Sequence, residues 1–152
     1  MVKPNRISAT FEQLRRTVES ITPRPECFVV NIGSVVKNKP RVDFALSVFE
    51  PVGFITNTNE GFKDAQAAID FILRTEQPYF VISSTDDQYP EIVPQIAKTV
   101  KAQAPEKILV LAGYPKEHLE SFTAAGIDFY IYMRCNIVST IQEILKKAGV
   151  KI

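Results

Sequence analysis

Apolar residues are distributed along this chain in two alternating rhythms. Short unbroken runs are separated by longer stretches in which apolar positions recur every three or four residues. Cys27-Phe28-Val29-Val30, Tyr79-Phe80-Val81-Ile82, Ile108-Leu109-Val110-Leu111 and Phe129-Tyr130-Ile131-Tyr132 are runs of the first kind. Phe54-Ile55, after Gly53, is a weaker one. Runs this short, rich in β-branched and aromatic residues, suit strands buried on both faces. The segments between them carry helical stripes. Val42, Ala45, Leu46 and Phe49 form one, closed by Pro51. Phe62, Ala65, Ile69, Ile72 and Leu73 form the next, and Ile92, Val93, Ile96, Ala97 and Val100 a third. The third is entered through Ser84, Thr85, Asp86 and Asp87, which favour caps and first turns. Pro90 suits a first turn, whereas Pro94 predicts a kink or a delayed start. Leu119, Phe122 and Ala125 make a short fourth helix stopped by Gly126. Asn136 caps a fifth, carrying Ile137, Ile141, Ile144 and Leu145 and ending at Gly149.

Alternation of this kind predicts an α/β domain, a parallel sheet covered on both faces through right-handed crossovers. Two arrangements compete for five such units; the flavodoxin-like, doubly wound order 2-1-3-4-5 is the commoner and is the one expected, and either way ligand loops gather at the carboxyl ends of the strands near the switch point. Residues 1–25 read differently. Thr10, Phe11, Leu14 and Val18 have helical spacing, and Pro23 and Pro25 then break the pattern. The expectation is a lead-in helix and linker ahead of a domain spanning residues 26–152. That helix would pack on the domain, or on something the chain does not contain.

Composition narrows the function classes. The 152 residues suit one domain, and 18 Lys+Arg against 17 Asp+Glu leave a net charge of +1. No field of one sign is available to steer nucleic acid or an anionic membrane. No apolar run is long enough to span a bilayer, and no secretory leader is evident. Cys27 and Cys135 lie far apart in apolar surroundings, which fits reduced thiols in a cytoplasmic protein. With one histidine, His118, a zinc site is not expected.

Candidate chemistry belongs to the loops at the strand ends. After the first strand, Asn31 to Arg41 offers only Gly33 towards a dinucleotide fingerprint, no P-loop, and no paired acids of the receiver type. Lys37, Lys39 and Arg41 there could bind an anion near a helix N-terminus, or form a solvated basic loop. After the third strand, Ser83-Ser84-Thr85-Asp86-Asp87 could hold a hard cation or cap a helix. Ala112-Gly113-Tyr114-Pro115 permits close backbone approach or a tight turn. Met133-Arg134-Cys135-Asn136 places Cys135 near a helix start, as a reactive or an inert thiol. His118 sits among Lys116, Glu117 and Glu120 at a helix start, as a surface residue or a general base. No nucleophile–base pair emerges, so no catalytic residue is assigned.

The segments Phe28-Val29-Val30-Asn31-Ile32-Gly33, Val81-Ile82-Ser83-Ser84, Ile108-Leu109-Val110-Leu111-Ala112-Gly113 and Ala125-Gly126-Ile127-Asp128, with their spacing, resemble the cobalamin-binding domain at the carboxyl end of methylmalonyl-CoA mutase. The similarity runs over residues 24 to 149. Cobalamin-binding members of that family carry Asp-x-His-x-x-Gly after strand one, the histidine ligating cobalt. Placing Gly33 on the preceding glycine puts Val35 at the aspartate, Lys37 at the histidine and Pro40 at the final glycine, and none matches. An ammonium offers cobalt no lone pair, and Val35 has no polar group to orient a ligand. The positions equivalent to the family's cofactor pocket are Gly33, Ser83, Ser84, Ala112, Gly113, Met133 and Arg134. The small pair Ala112-Gly113 keeps the family's character, and Met133-Arg134 in place of a glycine-rich turn is expected to crowd the slot.

The resemblance therefore implies a small-subunit domain that holds no cofactor or metal of its own and supports a large subunit. That partner would carry adenosylcobalamin and interconvert methylmalonyl-CoA and succinyl-CoA, an isomerase activity of propionate metabolism run by a heterodimer. Residues 7–18 would be the tail of a connection from a (β/α)₈ barrel that 152 residues cannot contain. Two other readings stay open: a cobalamin carrier without a histidine ligand, and an unrelated flavodoxin-like binding or signalling domain.

Overall fold

Five strands form, in chain order β1 (Glu26–Asn31), β2 (Ile55–Thr58), β3 (Tyr79–Ser83), β4 (Ile108–Ala112) and β5 (Phe129–Ile131). Six helices accompany them: α1 (Arg6–Ser20), α2 (Val35–Phe49), α3 (Ala65–Arg74), α4 (Tyr89–Gln103), α5 (Leu119–Ala125) and α6 (Ile137–Lys147). The structure is a computed structural model that describes residues 6–22, 24–59, 61–133 and 135–150; the side chains of residues 6–11 and of Val35 lie outside that description. The sheet is parallel throughout, in the order β2-β1-β3-β4-β5. That is the flavodoxin-like arrangement the alternation of runs and stripes predicts.

The pleat sorts the apolar runs into two cores. Cys27, Val29, Tyr79, Val81, Ile108 and Val110 face α1, α2 and α6. Val30, Phe80, Ile82, Leu109 and Leu111 face α3, α4 and α5. β3 and β4 are buried along their whole length, which is why their sequences are unbroken apolar runs. Burying each such aliphatic side chain contributes about 1.5–3 kcal/mol. β2 is an edge strand with the sequence Ile-Thr-Asn-Thr, largely exposed. Its apolar signal is weak because none of its four residues enters either core.

Several local expectations need correction. The stretch after β1 is not a basic loop through Arg41: helix α2 begins at Val35. Ser34 caps it, its hydroxyl accepting from the Lys37 amide at 3.3 Å. Pro40 lies inside this helix, where it removes one backbone hydrogen bond without ending it. Pro94 is likewise carried inside α4, whose start at Tyr89 is not delayed. The cap residue of α4 is Gln88, which makes no side-chain capping bond, rather than any of Ser84 to Asp87. Phe62 pairs with Ile32 in an isolated bridge ahead of α3, which Asp64 caps.

Helix α1 packs on the domain. Leu14 and Val18 belong to the core, and Val18 and Arg15 lie close to Gly53 just before β2. Arg24 Nε donates to the Gly53 carbonyl at 2.5 Å, tying the linker to the same corner. The side chains of Thr10 and Phe11, and all of Pro23, lie outside the described residues. Among the described residues no helix is long and apolar enough to cross a membrane.

Candidate functional site: a cleft at the carboxyl ends of the strands

Asn38 determines where the site's first wall stands. Its buried amide donates to Asn31 Oδ1 at 2.6 Å and to the Ile32 carbonyl at 2.7 Å. The first turn of α2 is thereby fastened to the end of β1 by hydrogen bonds rather than apolar packing. Lys37, Arg41 and Phe44 follow at helical spacing on one face of α2. They line a cleft of about 710 Å³ above the sheet, on the α2 side. Ser84, Thr85 and Asp86 close it after β3, and Tyr114, Tyr132 and Met133 stand opposite, after β4 and β5.

Arg41 and Tyr89 organise the cleft's inner edge. The Tyr89 hydroxyl donates to the Ala112 carbonyl at 2.6 Å and accepts from the Ser84 amide at 3.2 Å. It therefore bridges the ends of β3 and β4. The Arg41 guanidinium lies over the Tyr89 ring, 5.3 Å from its centroid. One of its nitrogens donates to the Ser84 carbonyl at 2.6 Å, and another pairs with Asp86 at 2.9 Å. Burial works against the Arg41 charge, but Tyr89 and Asp86 beside it outweigh that and raise its pKa. Burial pushes the Tyr89 phenol up to about 12, against the opposing influence of Arg41. Gly113 turns the chain at the end of β4 with φ 135°. A Cβ there would meet the Tyr89 ring at 3.6 Å, an ordinary contact, so the backbone conformation and not space calls for glycine.

The residues singled out from the sequence divide sharply. Lys37, Pro40, Arg41, Ser84, Ala112, Gly113 and Met133 converge on the cleft. Gly33 does not: it turns the β1–α2 connection at φ 93°, facing the Gln88 side chain. Ser83 is buried, and its hydroxyl, like Asn38 Oδ1, finds no partner among the described residues. Lys39 points elsewhere and pairs with Asp43 one turn along. Met133, one half of the pair expected to crowd the slot, lines this cleft and is 76% exposed. Arg134, the other half of that expectation, lies outside the described residues, as does the side chain of Val35.

Asp86 and Asp87 are each held by neighbouring side chains. Asp86 pairs with Arg41, and a hydrogen bond from Thr85, with the nearby Lys37, holds the exposed Asp87 carboxyl below its usual range. Among the described residues no group of three or more His, Cys, Asp or Glu side chains is placed to hold a metal. Cys135 is half-buried just before the Asn136 cap of α6, and desolvation pushes the buried Cys27 thiol up. His118 stacks on Phe122 at the start of α5, with centroids 5.2 Å apart. The reading of the residues missed Tyr89 and Phe44. Tyr89 carried a legible signal, a hydroxyl-bearing aromatic at a helix start beside a strand end. Phe44 carried none, because its angle to the cleft depends on where α2 begins.

These residues do not suit a cobalamin lower ligand. Lys37, which the resemblance sets against the histidine of cobalamin-binding domains, is exposed on helix α2, and a lysine ammonium has no lone pair to donate. The chain's one histidine is on another element and does not line the cleft.

No family model matches the chain. It is 27% identical over 147 residues to the methylmalonyl-CoA mutase small subunit of Porphyromonas gingivalis, a match that covers 97% of this chain and 23% of that protein. The chain thus spans about a quarter of the length of the curated relative it matches. Among solved structures, a CheY-like protein from Pseudomonas aeruginosa PAO1 superposes with a TM-score of 0.58 at 12% identity, covering 84% of this chain and 95% of that one. A response regulator from Thermotoga maritima gives 0.54 at 16% identity, covering 83% and 98%. At such identities the likeness is one of fold.

Proposed function

We propose that this chain is a cofactor-free structural domain of the methylmalonyl-CoA mutase small-subunit type, supporting a large subunit that binds adenosylcobalamin and isomerises methylmalonyl-CoA and succinyl-CoA. The observation that carries the reading is helix α2. It begins at Val35 and runs through the positions where the cobalamin-binding members have their histidine loop, placing Lys37 and Pro40 on its first two turns. Cobalt ligation would require that helix to unwind and would then find an ammonium. The similarity to a small subunit over nearly the whole chain supports the assignment of type. On this reading the large subunit, the heterodimer and the cytoplasmic location go with the longer protein of which this segment resembles a quarter.

In this role the chain does no chemistry. Its own residues maintain a rigid scaffold: Asn38 fastens α2 to β1, and Tyr89 joins the ends of β3 and β4. The test is a visible-spectrum titration of the chain with hydroxocobalamin and adenosylcobalamin, followed by co-purification with a large subunit. The expected result is an unchanged cobalamin spectrum, no colour retained after desalting, and a complex with the large subunit. Tight binding at one equivalent with a shifted spectrum would overturn the cofactor-free reading.

A further inference from the structure

We propose that the interior beneath helix α2 is a binding site for one structural water molecule, which bridges Asn38 Oδ1 and the Ser83 hydroxyl and completes the joint between α2 and the ends of β1 and β3. Both residues are buried, and neither lines the cleft. The inference goes beyond the scaffold role and does not rest on it.

Two polar atoms define the site. Asn38 is 1% exposed and Ser83 0%, and Asn38 Oδ1 and Ser83 Oγ have no hydrogen-bond partner among the described residues. Buried polar side-chain atoms in folded proteins are mostly paired, with protein or with ordered water. The Asn38 amide is fixed in orientation by its neighbours. Its nitrogen donates to Asn31 Oδ1 and to the Ile32 carbonyl, and a flip would set the amide oxygen against that carbonyl, acceptor against acceptor. Oδ1 therefore needs a donor from elsewhere. The Ser83 hydroxyl is able to give one, yet the two atoms are not placed for a direct bond.

Strand register shows that the gap between them is short. Asn31 on β1 is the partner of Ser83 on β3, so their side chains stand side by side on strands about 5 Å apart. The Asn38 amide is bonded to the Asn31 side chain, which brings its head group beside Ser83. Ser83 shares the face of Tyr79 and Val81, which pack in the core on the α2 side. Ala112 at the end of β4 belongs to the same core and continues the row. The preceding row, Val29, Val81 and Val110, is filled by branched side chains. The row Asn31, Ser83 and Ala112 has two small side chains and leaves space under α2. Water suits that space because it donates to Asn38 Oδ1 and either donates to or accepts from Ser83 Oγ. Asn31, Asn38 and Ser83 are all uncharged, so they offer an ion no counter-charge for its desolvation.

A high-resolution crystal structure of the full chain is the direct test. The expected result is one ordered water within about 3.2 Å of both Asn38 Oδ1 and Ser83 Oγ. In solution the same water should give cross-relaxation peaks of the long-lived kind to the Asn38 and Ser83 amide protons. Ser83→Val fills the space with methyl groups and should abolish those peaks. It should also lower the folding equilibrium constant about five- to hundredfold, since Oδ1 is left without a donor. If that variant fails to fold, Ser83→Ala removes one of the two anchors and should lower the occupancy of the water. The proposal is overturned by density that shows no water between the two atoms, by a direct Ser83–Asn38 bond, or by a water signal undiminished in the Ser83 variants. The cobalamin titration is independent, since a cofactor-free chain can pass or fail this test.

Discussion

The two faces of the sheet are made from alternate residues of the same strands, yet they finish differently. On one face α3 packs against α4 and α4 against α5, and Ile69, Ile72, Val93, Ile96, Phe122 and Ile127 seal the layer from end to end. On the other, α1 packs against α6 and fills the corner beside Gly53, near the amino end of β2. At the carboxyl ends of the strands this face turns polar. Asn31, Asn38 and Ser83 are buried there, and Arg41 reaches across to Ser84 and Asp86. Where a helix presents an aliphatic stripe along its full length, the layer closes by excluding water. Where the stripe is interrupted, as by Asn38 and Arg41 on α2, hydrogen bonds position the helix and an open cleft persists.

That contrast can be tested by substitution. The largest effect is expected on the sealed face, where Phe122→Ala should cost about 3–5 kcal/mol in urea denaturation, while Met133→Ala at the rim of the open face should stay within about 0.5 kcal/mol. Similar costs at the two positions would show that the faces do not differ as described. Leu14→Ala comes next, at about 2–4 kcal/mol. It should lower the midpoint of a single transition, because α1 shares the core; a separate early transition of α1 would place it outside the cooperative unit.

A smaller loss, that of Tyr89→Phe, sharpens the account of the open face. Loss of the hydroxyl leaves the Ala112 carbonyl and the Ser84 amide without their partner and should cost about 1–3 kcal/mol at neutral pH. The sign of its pH dependence follows from the raised pKa. Between the ordinary tyrosine value of about 10 and the folded value of about 12, the native state keeps a proton that the unfolded chain has lost. Stability from this group is therefore complete below pH of about 10 and is lost as pH rises towards 12. Tyr89→Phe lacks that loss, so the gap between variant and parent should narrow across the window, measured by denaturation at successive pH values. A gap that widens would contradict the burial of the phenol.

The residues differ in how far they could be read in advance. Tyr79 to Ile82 and Ile108 to Leu111 are unbroken because two layers cover them, so the central strands were plain. Leu14 and Val18 showed a helix but not its destination. Lys37, Lys39 and Arg41 looked alike as neighbouring basic residues. Helical periodicity from Val35 onwards separates them, turning Lys37 and Arg41 to the cleft and Lys39 to Asp43. That start was obscured by Pro40, which marks a loop more often than a second helical turn.

By itself, then, the chain's pattern determined the strand–helix alternation and the parallel sheet, because those depend on periodicity and on connection rules that act locally, whereas the order β2-β1-β3-β4-β5 among the competing arrangements came from the tertiary structure. It also showed that the stretch after the first strand holds no histidine, since that is a matter of identity alone. Only the tertiary structure decided that Arg41 meets Tyr89 and Asp86, residues more than forty positions further along the chain. Such a meeting depends on how α2 is clamped to β1 and how the end of β3 turns into α4. Those are long-range hydrogen bonds and packing angles, and no local spacing in the sequence encodes them.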